Sequence, residues 1–124
     1  MIVLMFLPQW VEPILQGRKV QTVRPVGKRL VCVDDALSLR VWTGRPYCSK
    51  QKTLMETRCT SVGRVVIDDG GVGMLSGEKS GQRLSWDNLE RFARRDGFDS
   101  FDAMQTFFRE MHGLPFQGTV IGWE

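Results

Sequence analysis

The 124-residue chain predicts an α+β domain on three observations: an apolar opening run, a stretch rich in Val, Leu and Thr broken by turn signals, and two capped amphipathic helices near the end. At 42% hydrophobic it has the material for a core, and its length suits one domain over 1–124.

Met1 to Leu7 is apolar but meets Pro8 after seven residues and carries no basic leader. It therefore predicts a buried strand, too short for a signal peptide or a membrane span. Residues 10–16 predict a short helix, with Pro13 tolerated in its first turn and Gly17 supplying a left-handed cap. Strand-like alternation follows over 20–24, which puts Thr22 and Arg24 on one face and Gln21 and Val23 on the other. Lys19 has the opposite parity, so it joins Thr22 and Arg24 only from the turn before the pleat begins.

Segments 30–33, 36–42, 53–59 and 63–67 predict strands of a curved, mostly antiparallel sheet, separated by turns at Asp34-Asp35 and Thr43-Gly-Arg-Pro46. Residues 68–82 are glycine-rich and aperiodic, and predict a long mobile loop. Within it, Gly71-Val-Gly73-Met-Leu-Ser-Gly77 misses the dinucleotide spacing by one residue and precedes no convincing helix. Ser85 then predicts a cap for a helix with a buried stripe of Trp86, Leu89, Phe92 and Ala93, ended by Gly97. Asp99 or Ser100 caps a second, whose stripe of Phe101, Met104, Phe107, Phe108 and Met111 is core, and Gly113 and Pro115 stop it. Residues 119–123 predict a closing strand paired with the N-terminal one.

Cys32, Cys48 and Cys59 are odd in number and widely spaced, which predicts free thiols in a reduced, cytoplasmic protein with no membrane partner. The net charge of +3 hides a segregation: residues 1–67 carry 11 basic and 4 acidic side chains, while residues 68–124 carry 6 and 10. A front part at +7 can offer a positive surface to a polyanion.

The stretch Gly17-Arg-Lys-Val-Gln-Thr-Val-Arg24 concentrates this charge. A helix stop is followed by three cations and a hydroxyl, a grouping that suits a phosphate or a polar base as well as a solvated turn. Arg18, Lys19 and Arg24 would neutralise phosphate, Thr22 would donate a hydrogen bond, and Trp42 or Tyr47 would stack on a base. Arg45 and Lys50 add cations around Tyr47 on a rim that also suits an ordinary turn. His112 has no second ligand at metal spacing, and the doublets Asp34-Asp35 and Asp68-Asp69 suit turns better than Mg²⁺, so no metal and no cofactor are expected.

These features together resemble the ASCH domain, the activating-signal-cointegrator homology family. The resemblance runs from Pro8-Gln-Trp10 through residues 17–24, Asp34-Asp35, Asp96-Gly-Phe98 and Phe107-Phe-Arg109 to the last strand, with the octapeptide as its specific part. It implies a PUA-like fold, a small partly closed β-barrel with three short helices packed on it, and a cleft for RNA or a modified nucleobase. Small bacterial members act as amidohydrolases on acetylcytidine and others are described as ribonucleases. By motif position their catalytic lysine, threonine and glutamate fall on Lys19, Thr22 and, one methylene shorter, on or near Asp96.

The resulting expectation is a monomeric RNA- or nucleoside-binding domain, with single-stranded DNA as a further partner. The alternatives are hydrolysis of an acylated cytidine or of RNA, and a protein-interaction module gripping through the exposed side of the aromatic helix. If Asp96 reaches Lys19 or Arg24 it is expected to be held ionised, which suits a clamp on an amino group better than a general acid. Arg24 lies on a polar strand face, so its removal is expected to spare the fold.

Overall fold

The computed structural model describes residues 1–27, 30–77 and 80–124. Its strands and helices form an α+β fold with two sheets. Strand β1 (Ile2–Phe6) is followed by a 3-10 turn at Pro8–Trp10 and by helix α1 (Val11–Leu15); β2 is Gln21–Pro25, β3 Ala36–Trp42, β4 Gln51–Arg58, β5 Ser61–Asp68 and β6 Gly71–Met74. Helices α2 (Trp86–Arg95) and α3 (Phe101–Met111) precede the last strand, β7 (Phe116–Gly122). One sheet has the order β1-β3-β4 and the other β2-β7-β5-β6, and among the described residues neither closes on itself.

Several expectations are corrected. Residues 30–33 form no strand, because the Asp35 carboxylate accepts from Cys32 N–H at 2.8 Å and Asp34 adopts a φ of +76°, which turns the chain. The expected loop over 68–82 contains β6, which pairs antiparallel with β5 from Asp68↔Gly71 onward. Asp69-Gly70 is thus the centre of a tight hairpin; residues 78 and 79 lie outside the described residues. The closing strand does not pair with β1. It lies between β2 and β5, matching Thr22 with Ile121 and Arg24 with Thr119, while β1 runs parallel to β3.

Ser100 caps α3 by accepting from Ala103 N–H at 3.1 Å, whereas Ser85 precedes α2 without a side-chain cap. Trp86 is not part of a buried stripe but 65% exposed. Helical side chains lean towards the N-terminus, so a residue at the first position has no preceding turn of its own helix to lie over. Met111 at the far end of α3 is exposed as well, leaving Phe101, Met104 and Phe108 as the buried face. The aromatic side of α3 thus packs inward.

Two apolar cores result. One joins β1, β3, Trp10, Ile14 and Trp123; the other joins Val23 and the β5–β6 hairpin to α2, α3 and Phe116. Phe98 packs against both. All three cysteines are free, and no helix among the described residues is long and apolar enough to cross a membrane.

Candidate nucleobase site

Two helix ends meet where the cores meet. Helix α1 stops at Gly17, whose φ of +77° lets the chain fold back so that Arg18 and Lys19 N–H both donate to Pro13 O, at 2.9 and 3.0 Å. Val20 then bonds to Arg95 O at 2.8 Å and to Trp123 N–H at 3.0 Å, which fixes the turn before β2 begins at Gln21. Lys19 therefore sits in the turn, the one arrangement that puts it with Thr22 and Arg24.

Helix α2 ends in the same way. Asp96 is its C-cap, Gly97 has a φ of +94°, and Phe98 N–H returns to Ala93 O at 3.0 Å. A Cβ on Gly97 would lie 2.9 Å from the Trp10 ring and 3.1 Å from Lys19 Cβ, so only glycine lets this cap close on Lys19. Lys19 Nζ donates to Asp96 O at 2.6 Å and lies 3.5 Å from Asp96 Oδ2. An ammonium thus caps the carbonyl end of α2, where the helix dipole favours a cation.

A cavity of about 260 Å³ opens between these ends. Lys19, Thr22, Arg24 and Asp96 all line it, and Phe6, Trp10, Phe98, Phe107 and Phe108 supply aromatic wall. Trp10 meets Phe98 edge-on with centroids 4.8 Å apart. Lys19 Nζ stands 4.5 Å from the Trp10 ring centroid, and the Arg24 guanidinium 4.7 Å from that of Phe6. Arg24 also donates from Nη2 to Met5 O at 2.5 Å, tying β2 to β1.

Lys19 and Asp96 are each only 2% exposed, so desolvation governs their protonation. Burial pushes Asp96 up to about 7, against the opposing pull of Lys19. This corrects the expectation of a firmly ionised carboxylate: removing the charge from water outweighs the neighbouring cation. Burial likewise lowers Lys19 below the ordinary lysine range, although Asp96 opposes this, and lowers Arg24 to about 10. Asp96 can therefore take up or release a proton near neutral pH.

Two buried polar atoms of cavity-lining side chains have no hydrogen-bond partner of ordinary geometry among the described residues: Arg24 Nε, a donor, and Asp96 Oδ1, an acceptor, although the buried Gln21 side chain lies near enough to Asp96 to lower its proton affinity. Buried polar atoms without partners are uncommon and costly, which makes the pair conspicuous.

Not every residue singled out in the sequence comes here. Arg18 is exposed, bonds to Gln16 Oε1 at 2.9 Å, and lines a separate depression. Trp42, Arg45, Tyr47 and Lys50 do not line the cavity. Trp42 and Tyr47 instead stand against each other with ring centroids 5.2 Å apart, and Tyr47 is 89% exposed. Conversely, Phe6, Trp10 and Phe98 read in the sequence as strand, helix and turn residues with no functional mark. His112 is the C-cap of α3, stacks on Phe108 and Phe116, and also reaches the cavity lining. The acidic doublets serve turns and surface ion pairs, with Asp69 Oδ1 2.8 Å from Arg109 Nη2. No group of three or more metal-ligating side chains occurs among the described residues.

Comparison of the chain with protein-family models, with curated proteins and with solved structures gives no match.

Proposed function

We propose that the chain is an ASCH-type, PUA-like module that binds RNA, or a nucleoside, by holding one nucleobase in the cavity beside Lys19, Thr22, Arg24 and Asp96. The observation that carries this reading is the unpartnered pair, Arg24 Nε and Asp96 Oδ1. A ligand that reached both would present an acceptor to Arg24 Nε and a donor to Asp96 Oδ1. The edge of a base with an exocyclic amino group next to a ring nitrogen or carbonyl has that pattern, and a carboxylate oxygen is a fitting acceptor for such an amino group. The aromatic wall suits the faces of the same base, and about 260 Å³ suits one base rather than a strand.

Titration calorimetry with the four ribonucleosides tests this. At least one nucleoside is expected to bind to the wild type and, by about fivefold or more, more weakly to Arg24→Ala. An absence of binding by all four, or binding unaffected by that change, would overturn the assignment.

A second reading, hydrolysis of an N-acylated cytidine, is favoured by the proton balance of Lys19 and Asp96. In that reaction water adds to the acyl carbon, the carbon–nitrogen bond breaks, the amino group gains a proton, and the acid is released. A neutral amine at Lys19 would accept the water proton and a protonated Asp96 would supply the other. Release of acetate from acetylcytidine, lost in Lys19→Met, is the expected sign; its absence at pH 7 would leave recognition alone.

A further inference from the structure

We propose that the depression lined by Arg18, Arg91, Arg94 and Arg95 holds the phosphodiester backbone of a nucleic acid, at a site separate from the base cavity. The two hollows are made from the same segments. Arg18 and Val20 face the depression while Lys19 lines the cavity, and Arg94 and Arg95 face the depression while Asp96 lines the cavity. On α2, residues 87, 90, 91, 94 and 95 fall at helical spacing on one face, so the helix and the turn after Gly17 bring four guanidinium groups around one concavity. Three of these arginines come from the half of the chain whose formal charge is negative.

The acidic neighbours offset only part of this charge, Glu124 pairing with Arg95. Asp87, Glu90 and Glu124 also line the depression. The Glu90 carboxylate accepts from Phe101 N–H at 3.2 Å, which draws it to the start of α3. Glu124 lies 3.7 Å from Arg95, and Asp87 sits in the first turn of α2, at the end away from Arg94 and Arg95. Among the described residues Arg18, Arg91 and Arg94 take part in no ion pair. Arg91 and Arg94 are exposed on the last turns of the helix, where the dipole favours cations. Exposed guanidinium forks around a concavity suit phosphate oxygens, and they contact the backbone without reading the base.

The site rests on the nucleic-acid reading of the cavity only for the kind of polyanion it receives, and the test keeps the two apart. Anisotropy of a labelled 12-nucleotide single-stranded RNA is titrated across 50–200 mM salt with the wild type and with the Arg91→Gln, Arg94→Gln double variant, and a DNA strand of the same sequence is run alongside. Each phosphate contact to a single strand contributes about 0.7 to the slope of log affinity against log salt, so the double variant should lose about 1.4 of that slope. Its affinity at the lowest salt should fall about tenfold or more for RNA and DNA alike, since phosphate contacts are common to both.

Nucleoside binding by the double variant should equal that of the wild type. Arginines that only offset the helix dipole would lower the melting temperature and leave the salt slope unchanged, and that result overturns the proposal. Wild-type protein that binds nucleosides but no strand also overturns it, while the cavity reading stands. Strand binding that depends on Arg91 and Arg94 without any nucleoside binding sustains it and removes the cavity reading. If the double variant loses fold, Arg94→Gln alone gives the same readout at half the slope change.

Discussion

The cavity and the arginine depression are made by the same two helix ends, yet water treats their charges differently. Lys19 and Asp96 are withdrawn to 2% exposure each, and desolvation sets their proton affinities, lifting Asp96 to about 7. One residue earlier in one segment, and two in the other, Arg18 and Arg94 stand in solvent. There charge acts over several ångströms and is screened by salt. The difference teaches that a glycine-terminated helix end can display one cation to solvent and, one step on, bury another against a carboxylate. Three-dimensional placement, rather than the count of basic residues, decides which role each takes.

The largest expected effect breaks the buried side of this comparison. Lys19→Met leaves the Asp96 carboxylate desolvated without its cation and Asp96 O without its donor. A buried ion pair that loses one partner costs about 3–5 kcal/mol. The cost should be greatest at pH 8, where Asp96 would have to ionise alone, and clearly smaller at pH 5, where it can take up a proton. Urea unfolding at the two pH values checks this, and an equal loss at both would show that the Lys19 charge is not what stabilises the pair.

Arg24→Ala comes next. The position reads in sequence as a polar strand face whose loss spares the fold. In the structure its guanidinium bonds to Met5 O and covers Phe6, linking the two sheets. We expect nucleoside binding to weaken by about 1–3 kcal/mol and the fold to lose about 1–2 kcal/mol, the ordinary cost of a charge-assisted hydrogen bond. Calorimetry and unfolding on the same variant separate the two effects.

Local signals made much of this legible. Gly17 as a helix stop, the pairing of Thr22 with Arg24 on one strand face, a cap at Asp99 or Ser100, which falls on Ser100, and Gly113 as a terminator are properties of short stretches, and the structure has them. The meeting of Lys19 with Asp96 across 77 residues was reached through the family resemblance rather than through spacing. What stayed hidden is non-local or depends on competition. Alternation in 119–123 identifies a strand but not its neighbours, and β7 pairs with β2 and β5 rather than with β1. Whether the Asp96 carboxylate would be governed by its cation or by burial needed its degree of exposure. The unpartnered atoms, the aromatic wall and the arginines of α2 exist as groups only after the helices have packed.

A pH dependence sharpens the comparison. Asp96 is raised in the folded chain, so its contribution to stability is fully present below the ordinary aspartate range and is lost as pH rises through about 7. Wild-type stability relative to Asp96→Asn should therefore decline between about pH 4 and 7 and level off above. Nucleoside affinity should change with a midpoint near 7 in the wild type and lose that midpoint in the variant. A midpoint that persists in Asp96→Asn would assign the titration to another group.

The smallest effect is expected at the rim, where Tyr47 is 89% exposed and touches Trp42 rather than the cavity. A surface aromatic with one such contact contributes little to the fold, so Tyr47→Ser should change stability by no more than about 0.5 kcal/mol. Because Phe6, Trp10 and Phe98 already wall the cavity, nucleoside affinity should stay within about twofold of the wild type. A tenfold loss measured by calorimetry would place the base against Trp42 and Tyr47 instead. The buried pair would then be a helix cap with no ligand, and the contrast between the two hollows would reduce to one of structure.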